Sequence, residues 1–185
     1  MPRCDPAIYL TFDDGPHPEN TPALLDILAA NGIKATFFLI GEQALAHSAI
    51  VKRLVDEGHA LGNHSMSHPD MRRLGRSAQL AQIDRADVVL ADFDGRQHHP
   101  FRPPRGHATL TAISRSLRSG PLLALWSFDS FDYRLGFDAL IDRLVKYPPR
   151  AGEILLFHDD MPATIGAIKY MLPRWHAAGY RFATL

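Results

Sequence analysis

Short apolar runs alternate along the chain with longer stretches that have helical periodicity. Residues 7–12 and 35–40 are two mostly apolar runs with the length of a buried strand. Between them, residues 21–30 are predicted to form a helix that is capped by Thr21 and ends at Gly32. The same alternation continues along the chain. It predicts further strands at 59–63, at Phe101, and at 122–127, 153–157 and 180–185, and further helices at 43–57, 77–93, 109–117, 138–147 and 164–178.

This order of elements favours one architecture. A repeated strand–helix alternation predicts a parallel sheet with helices outside it. Seven strand candidates suit a distorted, incomplete (β/α) barrel, and an open doubly wound sheet is the alternative. In both folds, the side chains that follow the carboxyl ends of the strands gather at one rim. The 185 residues contain no linker or repeat, which predicts a single domain over 1–185.

The amino-acid composition limits the classes of binding partner and the cellular location that we expect for this protein. The 20 basic and 20 acidic residues balance, so charge gives no argument for binding nucleic acid or an anionic membrane. The single cysteine, Cys4, excludes an internal disulfide. Without a membrane-length apolar run or a signal-peptide core, the chain is expected to be cytoplasmic. An exported protein whose leader had been removed would have the same pattern, and the oligomeric state stays open.

Two adjacent carboxylates, Asp13 and Asp14, directly follow the first predicted strand. Adjacent side chains at a strand end can point in different directions, so one carboxylate can bind a metal while the other transfers a proton. The run Asp-Asp-Gly-Pro is also a favourable turn. Taken alone, it indicates a turn more than a catalytic site.

His64 and His68 follow the third predicted strand. They are four residues apart, a spacing that brings two side chains to one face of a helix. Two imidazoles and one carboxylate form a common catalytic zinc set that leaves a coordination position for water. A capped helix start with two half-exposed histidines is an equal alternative. The position after a strand brings the pair to the same rim as Asp14.

The loop Phe-Arg-Pro-Pro-Arg-Gly at 101–106 is stiffened by its two prolines. Arg102 is placed to pair with a carboxylate at the rim. Because proline has no N–H, the next free backbone donor belongs to Arg105, which suits an oxyanion site. By itself the loop is more typical of an ordinary proline-rich turn with solvated arginines.

Aromatic and acidic side chains follow two later strands. Trp126 and Tyr133 flank a run with acidic residues, and aromatic rings at a rim either stack on sugars or close the edge of a core. His158 ends the strand at 153–157 and is a general-acid candidate only beside other catalytic groups. Five polar clusters that each follow a predicted strand favour one shared site over unrelated turns.

At these residues the sequence resembles the NodB-homology polysaccharide deacetylases, also called carbohydrate esterase family 4. The resemblance extends from Thr11 to Leu185, and the five family motifs occur in order. They are Thr-Phe-Asp-Asp-Gly-Pro at 11–16, His-Ser-Met-Ser-His at 64–68, Arg-Pro-Pro-Arg-Gly at 102–106, the segment 129–133, and Leu-Phe-His at 156–158. The first two together are highly specific. The family fold is a distorted (β/α) barrel, in agreement with the strand count.

The resemblance implies a metal-dependent hydrolysis. Asp14, His64 and His68 would bind a divalent ion, with zinc as the expected metal and cobalt or another divalent ion as alternatives. The bound ion would lower the pKa of a water molecule to about 7. The substrate would be an oligo- or polysaccharide with N-acetylglucosamine units, and the products would be acetate and a glucosamine unit.

The resemblance also implies the groups that move protons. Asp13 would be the catalytic base, oriented by Arg102. His158 would be the general acid. An aspartate of the fourth motif would tune His158; Asp132 is expected, and Asp129 is the alternative.

Two positions depart from the family pattern and bear on the substrate. Tyr133 stands where the family usually has Trp, and Arg105 stands where it often has an aromatic residue. Both positions line the sugar groove in the family, and Trp126 is a third predicted substrate contact. We expect weaker binding of neutral chitin oligomers and a preference for glycans with acidic groups.

Three other functions share parts of this pattern. A binding module that has lost catalysis would lack Asp13 or His158, and both are present. A hydrolase of a non-sugar amide uses the same fold but tends to lack the aspartate pair. An esterase of O-acetyl sugars would depend less on His158, because an ester leaving group needs less protonation. The sequence does not indicate which glycan is used.

Overall fold

A parallel sheet surrounded by helices forms the centre of the protein, as a computed structural model describes it over residues 7–119 and 123–185. The strands are β1 Ala7–Asp13, β2 Thr36–Leu39, β3 Ala60–Asn63, β4 Phe128–Asp129, β5 Ile154–His158 and β6 Arg181–Ala183. The helices are α1 Asn20–Ala30, α2 Gly41–Ala46, α3 Ser48–Asp56, α4 Arg76–Asp94, α5 Leu110–Ser119, α6 Phe137–Lys146 and α7 Pro162–Ala177, with short 3₁₀ turns at Met71–Arg73 and Pro104–Gly106.

The strands follow the order β3-β2-β1-β5-β4, and β6 pairs with the start of β1. All of these pairings are parallel. Beyond β3, Phe101 bridges Asn63 on one side and Leu123 on the other. The segment that begins at Leu123 continues into β4, so it connects the β3 edge of the sheet with the β4 edge. This irregular closure confirms the distorted (β/α) barrel predicted from the sequence.

The first strand is the centre of the sheet. Ile8, Leu10 and Phe12 are fully or almost fully buried, and burying one such side chain contributes about 1.5–3 kcal/mol. The register of β1 against β5 pairs Asp13 with His158 at the carboxyl ends of both strands. The apolar core therefore fixes two polar residues side by side at the rim.

Two predicted elements differ from the structure. The helix predicted over 43–57 is wrong, because the backbone of His47 leaves the helical region (φ −124°, ψ 44°) and separates α2 from α3. The strand predicted over 122–127 is also wrong over most of its length. The carbonyls of Ala124 and Leu125 accept hydrogen bonds from the Arg102 guanidinium where a regular strand would bond to its neighbour. Residue 122 and Cys4 lie outside the described residues.

None of the described helices combines the length and the apolar character that a membrane span needs.

Candidate active site

A cleft of about 350 Å³ opens at the rim formed by the carboxyl ends of β1, β3 and β5. Its volume falls in the usual range for small-molecule sites, about 300–1,000 Å³. Eight of the residues selected from the sequence line it, and these are Asp13, Asp14, His64, His68, Arg105, Trp126, Tyr133 and His158. Arg102 and Asp132 do not line the cleft; both are buried behind it.

One carboxylate and two imidazoles meet on one wall of the cleft. The Oδ1 atom of Asp14 lies 3.3 Å from Nε2 of His64 and 3.3 Å from Nε2 of His68. The three ligand atoms lie within 4.8 Å of one another, which fits a single shared ion. The helix face that the four-residue spacing suggested is not what joins the two histidines. Ser65 and His68 have φ of 69° and 53°, so a turn with left-handed residues brings the two rings together.

The hydrogen bonds of this cluster also suit a metal ion. Nδ1 of His64 lies 2.8 Å from the carbonyl oxygen of Arg102, which only accepts, so this nitrogen carries the hydrogen and Nε2 offers its lone pair. Asp14 Oδ1 is buried and has no hydrogen bond of good geometry among the described residues. A buried, unsatisfied carboxylate oxygen is costly unless a cation completes it. The donor set therefore fits a divalent ion such as zinc.

The ionisation of the cluster agrees with this fit. Burial by itself would raise the pKa of Asp14, but the neighbouring His64 and His68 rings, with a contribution from His158, lower it to about 2. Burial lowers the pKa of His68 by more than the Asp14 carboxylate raises it. The carboxylate is thus ionised and the His68 ring is neutral near pH 7, as metal ligands must be.

The buried Arg102 side chain binds Asp13. Arg102 is fully buried, and its Nη1 donates to Asp13 Oδ1 at 2.7 Å. Nη1 also donates to the Thr11 hydroxyl at 2.7 Å, and the guanidinium carbon lies 3.9 Å from the centre of the Phe38 ring. A buried arginine is tolerated when its donors are satisfied in this way. Oδ2 of Asp13 takes no part in this ion pair.

His158 is held by a buried carboxylate. Nδ1 of His158 lies 2.7 Å from Asp132 Oδ1, and the His158 backbone N–H donates to Asp132 Oδ2 at 2.7 Å. Burial alone lowers the pKa of His158, but the hydrogen bond and charge of Asp132, with the charges of Asp13 and Asp14, raise it to about 9. Asp129 instead accepts from the Phe131 N–H and the Tyr133 hydroxyl.

The aromatic residues of the cleft have different environments. Tyr133 is 40% exposed, and its ring meets the His158 ring edge-on, with 5.3 Å between the centroids. The six-membered ring of Trp126 covers Gly106, where an added Cβ would lie 2.5 Å from its Cη2 atom. Trp126 therefore packs on the loop that carries Arg105 and lines the cleft as well.

Sequence reasoning missed two residues that support this site. The Thr164 hydroxyl donates to Asp132 Oδ2 at 2.5 Å, and its position in α7 gave no local signal. Asp159 is fully buried, and its Oδ2 accepts from the Thr21 hydroxyl at 2.5 Å. A Cβ on Gly15 would lie 2.1 Å from Asp159 Oδ2, so this carboxyl packs directly against the turn that carries Asp14. The sequence signal that could have pointed to Asp159 is its position next to His158.

Known proteins resemble this chain over most of its length. A model of the polysaccharide deacetylase family matches residues 1–120. The chain is 34% identical to a chitooligosaccharide deacetylase of Sinorhizobium fredii, over 97% of this chain and 90% of that protein. It is 32% identical to a peptidoglycan-N-acetylglucosamine deacetylase of Bacillus cereus, over 96% of this chain and 66% of that protein.

Solved structures share the fold. A family 4 carbohydrate esterase from Streptomyces lividans, in complex with acetate, has a TM-score of 0.87 and 31% identity, over 97% of this chain and 93% of that one. A pseudoenzyme of the same family from Bacillus anthracis has a TM-score of 0.89 and 25% identity, over 98% of this chain and 64% of that one. Fold alone therefore does not separate active from inactive members.

The family model covers more than half of the chain, and relatives above 30% identity align with nearly all of it. The chain belongs to the polysaccharide deacetylases, the NodB-homology hydrolases of carbohydrate esterase family 4.

Proposed function

We propose that this protein removes N-acetyl groups from N-acetylglucosamine units of an oligo- or polysaccharide in a metal-dependent hydrolysis. One observation carries the proposal: a carboxylate backed by arginine and an imidazole backed by carboxylate share one cleft with three residues that fit a metal ion. Amide hydrolysis needs a base for water and an acid for the amine, and this arrangement offers both. The relatives named as chitooligosaccharide and peptidoglycan deacetylases support the substrate class.

Asp14, His64 and His68 would hold the ion, for which zinc is expected and cobalt is an alternative. The chemistry that a bound ion would supply there is polarisation of the acetyl carbonyl and a lower pKa for a water molecule. Within the chain, the carbonyl of Arg102 fixes the His64 ring with Nε2 toward Asp14. The orientation of the His64 ring is thus set before an ion binds.

Asp13 would act as the base through Oδ2. Arg102 binds the other oxygen, Oδ1, at 2.7 Å and fixes the orientation of the carboxylate. Oδ2 lies 3.9 Å from His64 Nε2, next to the metal ligands. It would take a proton from water as the water oxygen bonds to the acetyl carbon. Arg102 therefore serves as the positioning residue for the base.

His158 would be the acid. Because Nδ1 bonds to Asp132, the proton for the leaving nitrogen would come from Nε2 as the carbon–nitrogen bond breaks. An amine leaves poorly until it is protonated, so this step decides whether the intermediate goes on to acetate or reverts. Thr164 and the His158 N–H both bind Asp132 Oδ2 and hold the pair in place.

The remaining cleft residues would bind the substrate. The backbone of Arg105 has φ of 59°, and its N–H is the proposed donor to the developing oxyanion. Trp126 and Tyr133 would contact sugar rings. A second cleft of about 330 Å³ shares Asp14 and His68 with the first, so space is available on both sides of the metal site. This continuity favours a chain of sugars over a single sugar.

We also infer that residues 1–185 act as one deacetylase domain. The metal ligands come from the first half of the chain, whereas Asp132 and His158 come from the second. Since β1 and β5 pair directly in the same sheet, neither half contains a complete site.

The function is tested by acetate release from chitooligosaccharides and peptidoglycan fragments, with and without zinc. The matched control is Asp13→Asn, which keeps the shape of the base and removes its charge. We expect zinc-dependent acetate release that the control loses. Failure of the parent on all N-acetylated glycans, with zinc bound, would contradict the proposal.

The alternative functions are separated in the same assay by O-acetylated sugars and non-sugar amides. Faster turnover of either class than of N-acetylated glycans would favour that class.

A further inference from the structure

Two arginines stand in the wall of the catalytic cleft without an acidic partner. Arg105 and Arg134 both line the cleft, and both are exposed. In the part of the chain that the structure describes, neither guanidinium makes an ion pair with a carboxylate. An unpaired arginine is common on an open surface, but two of them in one catalytic cleft form a local positive field.

The acidic side chains that line the cleft do not neutralise this field. Asp13 is bound to Arg102 at 2.7 Å, and Asp14 Oδ1 faces two imidazole nitrogens at 3.3 Å each. A divalent ion would add further positive charge. Over the whole chain the basic and acidic residues balance at 20 each, so the excess is a property of the cleft. The cleft therefore favours a ligand that carries negative charge.

The loop around Arg105 is rigid. Pro103 and Pro104 precede it, and Gly106 packs against Trp126, with no room for a side chain. Arg105 lies close enough to His68 for its charge to act on that ring. Its Cα position is thus fixed on the side of the cleft formed by the metal ligands.

Arg134 lies on the side formed by the acid. Its guanidinium carbon is 5.3 Å from the centre of the Tyr133 ring, and that ring is 5.3 Å from the His158 ring. Such a stack orients the guanidinium without using its hydrogen-bond donors. The five N–H donors of Arg134 remain available for a planar anion.

We propose that Arg105 and Arg134 bind a carboxylate on the sugar next to the N-acetylglucosamine unit, so that the protein prefers an anionic glycan to a neutral chitin-type chain. This inference rests on the proposed deacetylation and names its substrate more narrowly. Guanidinium groups bind carboxylates with paired hydrogen bonds, which gives orientation as well as attraction. The carboxylate would hold the neighbouring sugar in place while the acetamido group faces the metal ligands.

The test compares substrates that differ in one charge. The anionic substrate is a short peptidoglycan glycan strand, stripped of peptide, whose lactyl carboxylates are free. Its neutral counterpart is the same strand after methyl esterification, and a chitooligosaccharide of equal length is the second neutral substrate. The readout is the ratio of kcat/KM on the free acid to kcat/KM on the methyl ester, at low and high salt.

The variants are Arg105→Gln, Arg134→Gln and their combination. Arg150→Gln is the matched control, because Arg150 is exposed near the amino end of β5, at the opposite end of the barrel. We expect each cleft variant to lower the ratio by about 3- to 10-fold, mainly through KM, and the control to leave it unchanged. The parent's preference should also shrink as ionic strength rises from about 0.05 to 0.5 M.

Three results would overturn the inference: a parent ratio near one, a ratio that neither cleft variant changes, or an equal fall in Arg150→Gln. Dissociation constants for the two strands, measured without turnover, keep the test independent of activity. If no N-acetylated glycan is hydrolysed but the free acid still binds more tightly through both arginines, the proposed reaction fails and the anion site stands.

Discussion

Replacing His158 by Ala removes the proposed proton donor and leaves the metal ligands in place. General acid assistance contributes about 10²–10⁴ in rate, which corresponds to about 3–5 kcal/mol in the activation barrier. We expect a loss of that size in kcat/KM on an N-acetylated glycan. On an activated acetyl ester the loss should be much smaller, because its leaving group departs without a proton.

The pH profile gives an independent check on the same residue. Since the pKa of His158 is raised to about 9, the acid form is present below that pH and is lost as the pH rises through it. At pH 7 about 99% of the ring would be protonated at this pKa. Part of the rise comes from the charges of Asp13 and Asp14, which a bound divalent ion would offset. We therefore expect the alkaline limb of the loaded enzyme below pH 9.

The assay measures acetate release from the amide and from the ester, in parent and variant, across pH. Asp132→Asn is the companion variant, because it removes the charge that raises the pKa of His158 and keeps the side-chain shape. Its alkaline limb should move to lower pH, whereas in His158→Ala the limb should disappear. Equal losses on amide and ester would refute the role of proton donor and indicate a structural contribution.

Further predictions concern the metal site and the base. Chelation should abolish acetate release, and zinc or cobalt should restore it; full activity in a sample shown by elemental analysis to be metal-free would contradict the metal-dependent reaction. Asp13→Asn should remove most activity with near-normal zinc affinity, whereas Asp14→Ala should weaken zinc binding, and equal zinc loss in both would reject the division of roles. Asp159→Ala should lower zinc affinity by about 10- to 100-fold, because it loosens the turn that carries Asp14. Asp159→Asn should retain most of the affinity, because it keeps the acceptor for the Thr21 hydroxyl. Equal zinc affinities of Asp159→Ala and the parent in a titration would show that Asp159 does not support the metal site.

Local patterns of the chain predicted the parallel sheet with outer helices and its polar rim, and the family resemblance favoured the barrel over an open sheet. The apolar runs at β1, β2 and β5 and the helical periodicity of α4, α6 and α7 are short-range signals, because strand and helix formation depend on neighbouring residues. Carboxyl ends of parallel strands share an edge, so the polar residues that follow them were expected to converge. The structure brings the predicted residues to one cleft or directly behind it.

Local patterns failed where a distant side chain overrides them. The strand predicted after residue 122 is replaced by an irregular segment, in which the carbonyls at 124 and 125 bind the guanidinium of Arg102, more than 20 residues earlier in the chain. The helical spacing of His64 and His68 suggested one helix face, but a left-handed turn joins them. A four-residue spacing does not distinguish these two geometries.

The identity of the candidate chemical groups follows from the sequence, because residue type and order are local information. Their pairing does not, because it depends on register and on burial between distant segments. Arg102 reaches Asp13 across 89 positions, and Asp132 reaches His158 across 26. The pKa of His158 is raised because the folded barrel brings carboxylates close to its ring. Arg134 lines the cleft without a carboxylate partner among the described residues, and this too depends on which charged groups the fold brings together.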